Sequence, residues 1–211
     1  MYIPAHFAMP DARAVHAFLR THVFAVIAGQ LGGRINFAYA PVVFDAGLGT
    51  LGGVRFHLAR TNPLAEIGDG ETITLSVMGP HAYVSPDWYA TEGQVPTWNY
   101  VAVEGAGRVR RFTAAELKDF LVELAAQEES ALAPKTPWTM DRVPPARLDG
   151  LLHAIVGFEL VFETLEGKAK LSQNRGAANV EGAINGLEKR GDAASLAVGA
   201  AMRNVRAGEG T

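Results

Sequence analysis

Residues 98–112 read WNYVAVEGAGRVRRF and form a long segment with strand character. Aromatic and β-branched residues, which pack well on a pleated surface, occupy much of it. Gly105 and Gly107 interrupt the run near its middle. Because glycine inside a strand commonly marks a bend, we predict one long, bent strand of the kind found in β-barrels.

Further segments with strand character flank this one on both sides. Residues 51–60 alternate most clearly, with Val54, Phe56 and Leu58 on one face. The other predicted strands cover residues 22–29, 34–45, 71–78 and 158–165. Strands that cluster without regular βαβ alternation favour an antiparallel sheet or barrel with helices packed outside it. The predicted fold class is therefore α+β, an antiparallel β-barrel with peripheral helices.

Helix signals precede, interrupt and follow the strands. Asp11 can cap a short helix, and Thr113-Ala114-Ala115-Glu116 is a capping box in front of an apolar stripe. Further helices are predicted at residues 147–155, beyond residue 176 as far as Gly191, and from Asp192 to about residue 205. The chain has no long linker. We predict one domain, residues 1–175, with residues 176–211 as its C-terminal helical appendage.

Composition narrows the classes of protein that the chain can belong to. Hydrophobic residues make up 48% of the 211 residues and charged residues 19%, which is typical of a globular protein. The formal net charge of −3 gives no general attraction to nucleic acid or to an anionic membrane. Zero cysteines exclude disulfides and thiolate sites, so redox chemistry would need a cofactor. With neither a signal peptide nor a membrane span in the pattern, we expect a cytoplasmic protein.

Several familiar motifs are absent or have a simpler interpretation. Residues 47–52 match GxGxxG, but a strand follows where a dinucleotide site needs a helix, so a glycine-rich hairpin turn is favoured. The six histidines lack HxH or HExxH spacing, and no Gly-x-Ser-x-Gly elbow appears. We therefore predict no metal site and name no catalytic residue.

Two short segments concentrate hydrogen-bond donors. Arg60, Thr61 and Asn62 end a predicted strand just before a proline, and such convergent donors suit a phosphate dianion. The alternative is a polar turn with a solvated arginine. Lys168 and Lys170 share one face of an extended segment that continues into Ser172, Gln173 and Asn174. A basic surface turn is the alternative there.

Five segments of the sequence resemble the PaiB-type family, the FMN-binding negative transcriptional regulators. The segments are Met1–Phe7, His57–Pro63, Gly79–Pro86, Val95–Tyr100 and Gly167–Arg175, and the match runs in order from the first residue to about Asn174. The resemblance implies a split β-barrel related to pyridoxamine-phosphate oxidases. It also implies a homodimer with FMN at the subunit interface, and DNA as a partner.

The resemblance implies that the two donor-rich segments belong to an FMN site. Its cofactor-binding residues would be His57, Arg60, Thr61, Asn62, Trp98, Lys170, Ser172, Gln173 and Asn174. The Arg60 turn would bind the phosphate, and the Lys170 segment would bind the phosphate or the edge of the flavin ring. Trp98 would cover the isoalloxazine, although an aromatic ring on a strand more commonly lies in the core or at an interface. The chain departs from the family at Tyr39, which stands where a histidine is usual, and the family's Thr hydroxyl is missing beside it.

Two other functions stay open. The same fold could carry a flavin-dependent oxidoreductase, in which the cofactor does the hydride chemistry. The altered strand at Tyr39 also allows a dimeric barrel that has lost its flavin. The densest basic cluster is Arg108, Arg110 and Arg111, and further basic residues follow in the last two helices. No helix-turn-helix signature is visible, so these two helices are either a substitute DNA-binding element or, as we favour, packing appendages.

Overall fold

The computed structural model describes residues 1–209, the last two by their backbone alone. Its strands are β1 (Phe24–Leu31), β2 (Arg34–Asp45), β3 (Gly53–Ala59), β4 (Thr72–Val84), β5 (Thr97–Arg111) and β6 (Ile155–Lys170). Its helices are α1 (Ala12–Thr21), α2 (Ala114–Ser130), α3 (Pro145–His153), α4 (Ala177–Arg190) and α5 (Ala193–Glu209). Short 3-10 turns cover Ala5–Phe7, Pro63–Glu66, Pro86–Trp88 and Met140–Arg142. The α+β class is confirmed.

The strands form one antiparallel sheet in the order β1-β2-β3-β6-β5-β4. β1 pairs with β2 through Phe24↔Pro41 and with β4 through Val26↔Ser76, so the sheet closes into a barrel. The alternation predicted for β3 is confirmed, since Val54, Phe56 and Leu58 are all at most 5% exposed. Inside the barrel the ring of Phe56 stacks on Phe158 of β6 at 5.4 Å.

Two of the predicted strands are too short. β4 continues past residue 78 to Val84, and β6 runs from Ile155 to Lys170 instead of ending at residue 165. In β4 the extension passes through Gly79 and Pro80, which usually end a strand pattern. The backbone nevertheless stays extended there, so tertiary pairing overrides the local signal.

The two glycines of β5 permit a close approach of β6. A Cβ on Gly107 would lie 1.9 Å from the carbonyl oxygen of Val161, and one on Gly105 would lie 2.5 Å from the ring of Phe162. Neither distance is possible for real atoms. A side chain at Gly107 would push the two strands apart, and one at Gly105 would displace the Phe162 ring.

The described residues divide into two compact units. We call residues His16–Val77 and Glu104–Leu165 the barrel unit, and residues Met1–Val15, Met78–Val103 and the chain from Glu166 onward the terminal unit. The long strands β4, β5 and β6 contribute residues to both units. The predicted boundary at residue 176 stays a prediction, and residues 210 and 211 of that appendage lie outside the described residues.

In the barrel unit, α2 covers the outer face of the sheet. The capping box is confirmed, because Thr113 Oγ1 accepts from the Glu116 N–H and Glu116 accepts from the Thr113 N–H. Leu117, Phe120 and Leu124 form a buried cluster with Val43 of β2. This packing fixes the start of α2 beside the end of β5.

In the terminal unit, α4 packs against α5 and against the turn Pro86–Trp88. α4 ends at Gly191, which has φ +75°, and Asp192 Oδ1 caps α5 by accepting from the Ser195 N–H at 3.0 Å. Both helix boundaries were predicted. Within residues 1–209, no helix is both long enough and apolar enough to cross a membrane.

Candidate functional site

A cavity of about 440 Å³ lies in the barrel unit, where β3 and β5 end and where α2 and β6 begin. Its walls are Arg60, Arg111, Phe112, Thr113, Ala114, Leu117, Asp149, Leu152, His153, Ile155, Val156 and Gly157. Arg60 is the one residue of this wall that the sequence analysis placed in the cofactor site. The size falls within the usual range for small-molecule pockets.

Arg60 is held in place by the backbone at the start of β6. Its Nε donates to the His153 carbonyl at 2.6 Å, and its Nη2 donates to the Ile155 carbonyl at 2.9 Å. Its Nη1 has no hydrogen-bond partner among residues 1–209. The guanidinium is therefore oriented and keeps donor capacity for a ligand.

Arg111 repeats this arrangement on the cavity wall. Its Nε donates to the Ile67 carbonyl at 3.0 Å, its Nη2 donates to the Ala65 carbonyl at 2.6 Å, and its Nη1 is likewise without a partner in the described chain. The start of α2 adds the positive end of a helix dipole. Asp149 is the one acidic side chain on the wall, so the arginines outnumber it. The cavity therefore suits an anion.

The negative charge of Glu116, in the first turn of α2, is stabilised by groups of the protein itself. Hydrogen bonds from the backbone and side chain of Thr113 lower the pKa of Glu116, and Arg110 at 3.0 Å lowers it further. Arg110 also pairs with Glu159 at 3.4 Å. Glu116 consequently stays ionised and bonded to the helix, and it does not line the cavity.

The other predicted residues of the barrel unit lie off the cavity wall. Asn62 Oδ1 accepts from the Leu64 N–H at 2.9 Å and so begins the turn Pro63–Glu66, while Thr61 is exposed. His57 is half-buried beneath α2, with its ring 6.0 Å from that of Phe120. Burial lowers the pKa of His57, and its Nδ1 has no hydrogen-bond partner in the described part of the chain.

The predicted residues at the end of β6 hold their own turn together. Lys170 Nζ donates to Thr97 Oγ1 at 2.5 Å and to the Trp98 carbonyl at 2.9 Å. Gln173 accepts from the Leu171 N–H at 2.8 Å and donates to the Ala169 carbonyl at 2.6 Å. Burial lowers the pKa of Lys170. Asn174 is exposed.

Ser172 is buried at the same turn and has φ 68°, a conformation uncommon for a residue other than glycine. Its hydroxyl donates to Asn99 Oδ1 at 3.2 Å and accepts from Asn99 Nδ2 at 3.0 Å. Neighbouring Trp98 is 54% exposed, and its ring lies 6.2 Å from Tyr83 and 6.4 Å from His81. The terminal unit thus presents an exposed aromatic group beside a tightly bonded turn.

Arg111 was predicted for a different role, in a basic cluster with Arg108 and Arg110. Arg108 pairs with Glu163 at 3.0 Å, and Arg110 is paired as described above. Sequence reasoning missed Arg111 and His153 as cavity residues. The available signal was the position of Arg111 two residues before a capping box, which places it beside the start of a helix.

Comparison with known proteins identifies the family of the chain. Residues 1–164 match the family model described as "Putative FMN-binding domain". The chain is 30% identical over 189 residues to "Protease synthase and sporulation protein PAI 2" of Bacillus subtilis, and the alignment covers 89% of each chain. It is also 28% identical to an uncharacterised protein of Emericella nidulans, with 96% of each chain covered.

Solved structures share the fold at low identity. An FAD- and heme-binding protein from Mycobacterium smegmatis aligns with a TM-score of 0.55 at 15% identity, covering 77% of this chain and 73% of that one. The flavocytochrome Anf3 from Azotobacter vinelandii aligns with a TM-score of 0.53 at 16% identity, covering 80% and 72%. From the family match and the PAI 2 similarity together, the chain belongs to the PaiB-type FMN-binding domain family.

Proposed function

We propose that this protein binds FMN, with the flavin phosphate on Arg60 and Arg111 in the barrel-unit cavity. The observation that carries the proposal is the pair of guanidinium groups, each oriented by two backbone carbonyls and each with an Nη1 that no described residue occupies. A phosphate dianion is matched by such oriented donors, because charge-assisted hydrogen bonds are stronger than neutral ones. Thr61 and Asn62, which follow Arg60 directly, are proposed as further phosphate contacts.

The remaining wall of the cavity fits an aromatic ligand. Phe112, Leu117 and Leu152 offer apolar surface beside the two arginines. Bound FMN would supply electron-transfer chemistry, and the protein's part would be to bind and orient it. A fit of this kind distinguishes a nucleotide from inorganic phosphate, which needs no apolar wall.

The other residues singled out in the sequence are kept as proposed flavin contacts. Trp98 has an exposed ring face that could cover a flavin. To bind a flavin, three of these residues would have to give up internal hydrogen bonds: Lys170, Ser172 and Gln173. Asn174 is exposed and could contact a ligand without such an exchange. His57 would act only if α2 moved, because the ring lies beneath that helix.

We further propose a homodimer, supported by an exposed apolar sheet face in the barrel unit. Phe24 of β1 and Ile35, Phe37 and Tyr39 of β2 are each at least 60% exposed. Residues two apart on a strand share one face, so the three β2 side chains form a continuous row. Contiguous exposed apolar patches commonly mark interaction sites. Tyr39, which stands where the family usually has a histidine, belongs to this row.

A role in transcriptional regulation is proposed from the similarity to PAI 2 and from the family resemblance. The basic residues Arg108 and Arg110 are paired with carboxylates, so a DNA contact would have to break these surface ion pairs or use another part of the dimer. Such pairs are weak, and phosphate contacts can replace them.

The test is flavin retention. The purified protein is mixed with FMN or with FAD, free flavin is removed by gel filtration, and the visible spectrum of the protein peak is recorded. We expect flavin bands with FMN in the wild type and a reduced yield in Arg60→Ala. Retention of FAD in preference to FMN would contradict the choice of cofactor, and no retention of either would contradict the proposal.

The outcome also separates the functions that the sequence leaves open. Salt-sensitive, sequence-selective retention of DNA by the flavin-loaded protein would support regulation. Turnover of NADH with an electron acceptor would favour an oxidoreductase. An intact dimer without flavin would identify a barrel that has lost its cofactor.

A further inference from the structure

A second cavity of the barrel unit lies between α2, α3 and the segment that joins them. We call it the α2–α3 groove. Its volume is about 350 Å³, and its walls are Leu121, Leu124, Ala125, Glu128, Trp138, Met140, Val143, Leu148, Leu151, Leu152 and Ile155. Leu152 and Ile155 also line the Arg60 cavity. The groove differs from that cavity in having no basic residue on its wall.

Two large apolar side chains of the groove are open to solvent. Leu151 is 49% exposed and Trp138 is 36% exposed, although both are large and hydrophobic. Phe120 and Leu124 pack α2 on the barrel, and the groove residues Leu121, Leu152 and Ile155 pack against the same cluster. The part of the groove that stays open to solvent is the wall formed by Leu151 and Trp138. Apolar surface left open in a pocket of this size is typical of a small-molecule site.

Glu128 is the single charged residue on the wall, and no cation pairs with it among the described residues. Its Oε1 accepts one hydrogen bond, from the amide of neighbouring Gln127 at 3.1 Å. The adjacent Glu129 is different, because Lys135 and the Trp138 N–H occupy its carboxylate. Arg142 is also engaged, donating to the Pro137 carbonyl at 3.2 Å, and it does not line the groove.

The end of α2 adds to the negative potential at this position. Glu128 lies in the last turn of α2, where the helix dipole is negative, and that turn contains no basic residue. Glu128 is exposed, and an apolar neutral ligand would gain no interaction with its carboxylate. An anion would be repelled. A cation would pair with the carboxylate and could also approach the indole face of Trp138.

From this charge complementarity we propose that the α2–α3 groove binds a lipophilic organic cation, a small molecule whose positive charge is surrounded by apolar groups. The apolar groups would contact Leu121, Leu148 and Leu151, and the thioether of Met140 would adapt to their shape. The two cavities share Leu152 and Ile155, but this proposal does not depend on the proposed FMN site.

The test uses two ions of the same shape and opposite charge, tetraphenylphosphonium and tetraphenylborate. Binding to the full-length protein is measured by calorimetry and by quenching of Trp138 fluorescence, which is assigned with the variant Trp138→Phe. We expect the phosphonium ion to bind and the borate ion to bind at least about tenfold more weakly, as for a site that contains one complementary charge. Equal binding of both ions would overturn the proposal, since the groove would then be only an apolar patch.

Substitutions on the groove wall test where the phosphonium ion binds. Glu128→Gln removes the charge and should weaken phosphonium binding about three- to tenfold, whereas Asp119→Asn removes a charge elsewhere on the same helix and should not. Ala125→Phe fills the groove and should abolish binding. Thermal melting confirms that each variant is folded. Unchanged binding in Glu128→Gln or in Ala125→Phe would contradict the site, as would displacement of the phosphonium ion by FMN.

Discussion

At the scale of single residues, Arg60 combines a structural and a proposed ligand-binding role. Two of its guanidinium nitrogens bind the carbonyls of His153 and Ile155, which tie the end of β3 to the start of β6. We expect Arg60→Ala to weaken FMN binding by about 1.5 to 3 kcal/mol through the loss of a charge-assisted phosphate contact. Fluorescence titration of FMN measures this change.

The control for Arg60 is Arg108→Ala, which removes a guanidinium of the barrel unit that pairs with Glu163 and does not line the cavity. This variant should bind FMN like the wild type. Equal affinities of the wild type and Arg60→Ala would remove Arg60 from the site. A melting curve of each variant separates lost binding from lost folding.

His57 should make the stability of the protein depend on pH. Burial lowers its pKa in the folded state below the ordinary value of about 6.5, so the unfolded chain takes up the proton first as the pH falls. The contribution of His57 is therefore fully present above about pH 6.5 and is lost as the pH decreases toward the folded-state pKa.

Urea unfolding at pH 7.5 and pH 5.5 measures this effect. The wild type should lose more unfolding free energy between these two pH values than His57→Gln, which cannot titrate. Parallel losses in both proteins would show that His57 does not titrate differently in the two states.

At the scale of elements, the start of α2 depends on one side chain. Thr113 Oγ1 accepts from the Glu116 N–H at 3.3 Å, and α2 forms one side of the Arg60 cavity. Thr113→Ala should lower the unfolding free energy by about 1 kcal/mol, the usual cost of a lost N-cap. Thr139→Ala is the matched control, because Thr139 begins the turn Met140–Arg142 without any side-chain capping bond. Chemical denaturation should find that control close to the wild type.

The packing of α4 in the terminal unit requires glycine on one helix face. A Cβ on Gly182 would lie 2.0 Å from the Trp88 carbonyl oxygen, and one on Gly186 would lie 2.2 Å from the Trp88 ring. Gly182→Ala should therefore destabilise the protein by about 1 to 3 kcal/mol, despite the better helix propensity of alanine, because backbone must move.

Gly150 of α3 provides the contrast to Gly182. A Cβ there meets no atom within 4 Å, so Gly150→Ala should stabilise by up to about 1 kcal/mol through helix propensity. Melting temperatures of the two variants should move in opposite directions. A common direction would refute the close contact as the reason for glycine in α4.

At the scale of the whole molecule, the exposed row on β2 should govern assembly. Phe37 stands in the middle of this row and is 60% exposed. Phe37→Glu would place a charge inside the proposed dimer interface and should yield a monomer in light scattering after gel filtration. Val122→Glu, on the exposed side of α2, is the control. A wild-type monomer, or a dimeric Phe37→Glu variant, would exclude this interface.

Local patterns in the sequence were sufficient for most of the architecture. The alternation around Phe56, the capping box at Thr113 and the stop at Gly191 all act within a few residues, so they specify strand, helix start and helix end directly. The two glycines of β5 could be seen in the sequence, but their reason, the backbone of β6 at Val161, could not. The segments that resemble the family also predicted the FMN-binding domain, which the family match confirms.

The cavity was decided by tertiary structure. Arg60 and Arg111 are 51 positions apart in the sequence, and only barrel closure and the docking of α2 place both on one wall. The same long-range contacts decide which polar groups are free, because Ser172 and Gln173 resemble ligand donors in sequence but already have partners in the folded chain. Periodicity thus determined the class of fold, and the resemblance of five segments determined the family. The availability of each donor depended on contacts between distant segments, which no local pattern records.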